Sequence, residues 1–188
     1  MLKGDNKIIC SDQGHFGIHS TSGTLTITGD GTLDIASARD CIQTGKIVVD
    51  GAKVHLTGFS GLFARLGETV LQNGVDVTLE NAGNGYASVY GENGVHVKDS
   101  TLRAAGSFEE SYAVTSPAEI VLDNANVKAE STAENAKQVM AAPNITLTKG
   151  RNHHPGFYAY SGQPFNGRGA CGVFKGEFYR AGSQRGNG

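Results

Sequence analysis

Five side chains are the candidates for contact with a ligand: Tyr86, Tyr90, Phe108, Glu109 and Tyr112. They lie in two stretches, 86–90 and 108–112, with Asn81, Asn84, Glu110, Glu134 and Asn135 in equivalent surroundings. Aromatic rings beside carboxylates and amides suit a sugar, whose ring faces are apolar and whose rim carries hydroxyls. The structural alternative is that the rings cover a side of the fold while the acids stand in water.

Cleavage of a glycoside needs more: two carboxylates facing one sugar, about 5 to 10 Å apart. The series Asp34, His55, Thr78, Arg103, Lys128, which the repeat described below stacks on one solvent face, holds a single acid. No catalytic residue is therefore assigned. A second series, Asp30, Asp50, Asn73, Asp99, Asp123, has oxygen ligands of the kind calcium takes. Such residues more often satisfy the backbone of tight turns, and that is the reading adopted. Arg39, Asp40 and Arg65 read as surface charges, with Arg39 and Asp40 as an ion pair. His15 and His19 do not converge on a strand-and-turn segment, and His153 and His154 are adjacent and point apart if extended. Cys10, Cys41 and Cys171 form no CxxC pair and too sparse a set for a disulfide framework. There is no phosphate-binding loop, nucleophile elbow or dinucleotide fingerprint. Neither a metal nor a cofactor is expected.

The elements that position these residues repeat. One column of apolar residues reads Ile27, Val49, Leu71, Val97, Leu122, Leu147, in steps of 22, 22, 26, 25 and 25. A second is Leu33, Val54, Val77, Leu102, Val127, and a third, two residues on, is Ile35, Leu56, Leu79, Ala104, Ala129. Each column alternates with polar residues, so its members share one face of a strand. Between the first and second columns lies a short turn of Asp, Asn, Gly, Ser and Ala. A corner column, Ile18, Ile42, Phe63, Val89, Val114, Val139, precedes each pair. Ile8 sits ten residues before Ile18 and ends an incomplete first coil. The connection into the corner column varies in length, as insertions do when a stack is fixed and its loops are free.

A period of this size marks a solenoid. The fold expected is all-β: a single-stranded right-handed parallel β-helix with three short strands per coil and about five to six coils. Residues 1–150 form the helix; 151–188 form a C-terminal cap or tail. That tail holds seven of the 14 aromatics and five basic residues against one acid, Glu177. An open solenoid end needs cover, and aromatic side chains would give it. The Gly- and Arg-rich sequence from Arg180 to Gly188 has a composition from which disorder is expected.

Composition agrees: 188 residues with 27 Gly, no Trp and 18% charged residues. A net charge of -2 gives no pull toward nucleic acid. No apolar run approaches the roughly 20 residues of a membrane span. The first residues carry no apolar signal-peptide core, so the chain is either cytoplasmic or a piece of a longer exported protein.

Residues 24–33, Thr-Leu-Thr-Ile-Thr-Gly-Asp-Gly-Thr-Leu, and 47–54, Ile-Val-Val-Asp-Gly-Ala-Lys-Val, carry a resemblance. Over about residues 7 to 149 the chain resembles the right-handed parallel β-helix repeats of bacterial secreted and cell-surface proteins, in the pectate-lyase-like superfamily. The resemblance implies an extracellular or cell-surface location and a polysaccharide or surface glycan as partner. The function expected is a non-catalytic module for adhesion or polysaccharide binding. A polysaccharide lyase or hydrolase acting on the coil face, or a spacer within a longer surface protein, are the alternatives.

Overall fold

A computed structural model describes residues 1–12, 14–81, 86–107, 111–131, 139–148 and the backbone of 159–160. Every element among them is a β-strand. The chain enters through β1 (Asp5–Cys10) and then runs five three-strand coils. These are β2 (Ile18–His19), β3 (Thr24–Thr28) and β4 (Thr32–Ser37), then β5 (Ile42–Thr44), β6 (Lys46–Asp50) and β7 (Lys53–Gly58). Next come β8 (Leu62–Ala64), β9 (Thr69–Gln72) and β10 (Asp76–Asn81), then β11 (Ala87–Gly91), β12 (Val95–Lys98) and β13 (Thr101–Gly106). The last coil is β14 (Tyr112–Thr115), β15 (Glu119–Asp123) and β16 (Asn126–Ser131). β17 (Met140–Ala141) and β18 (Asn144–Thr148) follow, and β19 (Ala159–Tyr160) is the one described element of the tail.

Three parallel sheets result. Sheet I is β1-β4-β7-β10-β13-β16, sheet II is β19-β17-β14-β11-β8-β5-β2 and sheet III is β18-β15-β12-β9-β6-β3. The three inward columns read from the sequence are the observed registers. Ile27 pairs Val49, Val49 pairs Leu71, and Leu71, Val97, Leu122 and Leu147 follow rung by rung. In sheet I, Leu33, Val54, Val77, Leu102 and Val127 stack likewise, as do Ile35, Leu56, Leu79, Ala104 and Ala129. β1 lays Ile8 on Ile35, completing sheet I one rung early. Leu56, Leu71, Val77 and Leu102 are fully buried. The core is therefore a set of aliphatic ladders, each rung about 4.8 Å from the next.

The corner column needs two corrections. Ile42 and Val89 pair Leu62, not Phe63, and Val114 pairs Met140, not Val139. β8 alternates like any strand, so Leu62 and Ala64 go inward and Phe63 must face out. Leu62 and Met140 are buried, whereas Phe63 and Val139 are only partly so.

The tight turns between sheets III and I repeat one backbone device. Gly51, Asn73, Asp99 and Asn124 take left-handed φ angles of 71°, 62°, 48° and 49°. Asn and Asp are the non-glycine residues that accept this region most readily. Gly51 N–H donates to Gln72 O, Asp99 N–H to Asp123 O and Asn124 N–H to Thr148 O, so the turns are hydrogen-bonded to one another along the axis.

Candidate functional site

On the outward side of sheet II the register aligns His19, Gln43, Phe63, Tyr90, Thr115 and Ala141, one per rung, of which Thr115 is buried. Phe63 and Tyr90 stack with ring centroids 4.4 Å apart and planes 15° from parallel. Because their strands are neighbours along the axis, the ring normals run along it and the ring edges meet solvent. Tyr86, just before β11, breaks this pattern. Its ring stands at 71° to Tyr90 and 64° to Tyr112, with centroids 5.8 and 5.4 Å away. Edge-to-face contacts of this kind are favourable and fix ring orientation. Tyr86 remains 49% exposed, so it is the ring of the cluster most open to a ligand.

Three of the five residues chosen from the sequence, Tyr86, Tyr90 and Tyr112, are thus brought together. Phe108 and Glu109 lie outside the described residues, as do Asn84, Glu110, Glu134 and Asn135. Phe63 belongs to the cluster and was missed, because the sequence reading placed it in the core. Glu92 was missed as well: Tyr90 donates its hydroxyl to the Glu92 carboxylate. Burial, followed by that hydrogen bond to an anion, raises the Tyr90 pKa. Tyr86 is raised by burial first, then by Tyr112 and Glu92, against a hydrogen bond with Thr115. Both phenols therefore stay protonated as donors at neutral pH.

The other end of the same face differs from expectation. Arg39 makes no direct ion pair with Asp40, although its charge still acts to lower the Asp40 pKa. Its guanidinium lies 4.4 Å from the centre of the Phe16 ring, which stacks on His19 at 4.5 Å. Asp40 is half-buried, accepting from Gln43 Nε2 at 3.3 Å, and burial raises its pKa against the opposing Ser60 hydrogen bond and Arg39 charge. Burial, then the Asp40 charge, pushes the Cys41 thiol up to about 12, so it is an inert core group.

The turn acids do not form one column. Asp50 pairs in register with Gln72, and Asp123 with Lys98, so a cation and an amide interrupt the series. Asp50 accepts from Gln72 Nε2 and Asn73 Nδ2, both at 2.9 Å. Asp99 accepts from Asn124 Nδ2 at 2.7 Å, and Asp123 from the Thr148 hydroxyl at 2.6 Å. Among the described residues no group of His, Cys, Asp and Glu converges as a metal site.

No family model, curated protein or solved structure matches the chain. The chemistry of its faces therefore rests on the geometry alone. On sheet I, His55 stands between two acids, Nδ1 at 3.0 Å from Asp34 and Nε2 at 3.9 Å from Glu80. Glu80 was not anticipated, being one strand over and two residues along. These side chains are about half exposed, and exposed pairs contribute little. On sheet III, Lys46 donates to Glu68 at 2.9 Å, and His96 Nε2 lies 3.3 Å from Glu119 without the alignment of a hydrogen bond.

The hydrogen bonds to Asp50 from Gln72 and Asn73, and to Glu68 from Lys46, hold both carboxyls below their ordinary values of 3.8 and 4.5. Groups whose folded pKa is depressed stabilise above the unfolded pKa and lose that contribution as pH falls through the folded one. Melting temperature should therefore fall with acidification below those values. In the double variant Asp50→Asn, Glu68→Gln the acid limb of a thermal-melt series should be shallower. An unchanged limb would show that these two carboxyls play no part.

Proposed function

We propose that the chain is a non-catalytic β-solenoid module that binds polysaccharide on the outward face of sheet II. The reading includes a place on a cell surface or outside the cell, as in the bacterial β-helix proteins the repeats resemble. One observation carries it: Phe63, Tyr86, Tyr90 and Tyr112, drawn from three successive coils, meet in a single surface cluster beside Glu92. A core would have buried Tyr86, and a plain surface would not gather four rings. Tyr86 offers an apolar surface for a sugar, and Glu92 and the tyrosine hydroxyls offer rim partners. Binding is favoured over cleavage because Glu92 is already engaged by Tyr90. Asp40 is turned toward Gln43 and Ser60 at the far end of the row.

Retention on insoluble polysaccharides and a soluble glycan array test this. Tyr86→Ala should weaken the best signal by about tenfold or more, the loss of about 1.4 kcal/mol or more expected for an anchoring aromatic. Its melting temperature should stay within a few degrees of wild type, since Tyr86 is half exposed. Equal binding by Tyr86→Ala and Tyr112→Ala would move the site elsewhere, and no glycan retained by wild type would end the proposal.

A further inference from the structure

Glu92 gives the ring cluster a charge. Tyr90 donates to its Oε2, which leaves Oε1 to accept from a ligand. The same charge reaches Tyr86, where it acts after burial and Tyr112 to keep the hydroxyl protonated. Tyr86 lies at 71° to Tyr90 and 64° to Tyr112, so the cluster turns ring faces in more than one direction. It is no flat platform. Each ring face carries the negative part of the aromatic quadrupole. A carboxylate beside inclined ring faces attracts an ammonium group and repels an anion.

One cation opposes this. Glu92 N–H donates to Ala64 O, which sets the exposed Arg65 one rung from Glu92. Among the described residues neither takes part in an ion pair, so no such contact neutralises Glu92. We infer that the sugar bound here carries a free amino group, an inference that rests on sheet II being the polysaccharide-binding face. The ligand class is then an unacetylated amino-glycan, not a neutral glycan or a uronate. The pyranose lies on the Tyr86 ring and its ammonium donates to Glu92 Oε1. N-acetylation removes that charge, and a uronate brings a second carboxylate up to Glu92.

Three immobilised polymers test this with the whole chain: polyglucosamine, the same polymer N-acetylated, and polygalacturonate. The free-amine form should hold wild type at least about tenfold more tightly than the acetylated one, and polygalacturonate should hold it least. Glu92→Gln keeps the side chain's size and should erase the preference for the amine while retention still depends on Tyr86. A net charge of -2 draws any polycation weakly, so a control is needed. Glu80→Gln removes the same charge from sheet I, where Glu80 is 63% exposed, and should leave the preference intact. Should Glu92→Gln unfold, Arg65→Gln decides, because losing the opposing cation should strengthen retention on the amine. Equal retention on the two glucosamine polymers, or tightest retention on polygalacturonate, overturns the inference. So does a preference that survives Glu92→Gln, or one that Arg65→Gln leaves unchanged. Tyr86-dependent retention without regard to the amine overturns it and leaves the sheet II site standing, whereas no retention on any glycan ends both.

Discussion

Val77→Asp abolishes cooperative folding. Val77 is fully buried in the middle of sheet I, with Val54 on one rung beside it and Leu102 on the other. Removing its side chain forfeits about 1.5 to 3 kcal/mol of burial. Placing a carboxylate there adds several kcal/mol, whether it stays ionised or takes up a proton. The sum, about 5 kcal/mol or more, meets a total stability of only about 5 to 15 kcal/mol for a domain. Position matters as much as magnitude. In a stack each coil touches only its neighbours, so failure at a central rung separates two short halves, each with a newly exposed end. The control is next door. Thr78 faces outward between His55 and Arg103, and Thr78→Asp should change stability by no more than about 0.5 kcal/mol. Far-UV circular dichroism against temperature reads both. A sigmoidal melt for Val77→Asp within a few degrees of wild type would remove Val77 from the interior and the columns with it.

The contrast between Val77 and Thr78 also explains what could be read beforehand. Strands of sheets I and III are four to six residues long and alternate cleanly, so a one-residue error would have put Thr or Asp in the core. β8 is three residues, Leu62-Phe63-Ala64, all apolar, and alternation has nothing to act on. The largest residue, Phe63, was the natural choice for the interior, and the structure turns it out to stack on Tyr90. Tyr86 and Tyr112 were legible as neighbours because each closely precedes the corner residue of successive coils, Val89 and Val114, and Tyr90 follows Val89 directly. Glu92 was not, since it joins Tyr90 through a turn whose geometry depends on Gly91 and Gly94. Asp40 looked like a surface acid because Arg39 precedes it in sequence. It is half-buried and hydrogen-bonded to Ser60, one coil on, a contact that register alone does not announce. Likewise, counting residues put Asp50 over Asn73, whereas the ladder puts it over Gln72 and lets Asn73 reach back from the left-handed position.

Gly91→Ala should be the most damaging conservative substitution on the site side of the molecule. A Cβ at Gly91 would lie 1.9 Å from Gly94 O and 3.0 Å from Thr69 N, both backbone atoms that no rotamer change can move. Gly94 O accepts from Thr69 N–H at 3.0 Å, and Gly94 N–H donates to Gly91 O at 3.2 Å. The turn 91–94 must open, and with it go the bonds from Asn93 N–H to Gly67 O and from Asn93 Nδ2 to Leu66 O. Overpacking of this kind costs about 3 kcal/mol or more when backbone must shift. For a chain of this length that is a fall of about 6 to 12 °C in melting temperature. Gly74→Ala gives the scale. Gly74, unlike Gly91, takes a positive φ, of 80°, but a Cβ there meets nothing within 4 Å, so only backbone strain of about 1 to 2 kcal/mol is added. The two variants separate crowding from conformation. Gly91→Ala should also weaken glycan binding, because Glu92 sits in the displaced turn and holds Tyr90 in line with Tyr86. If Gly91→Ala melts with Gly74→Ala, the close approach of Gly91 to Gly94 is not what holds this corner of the coil.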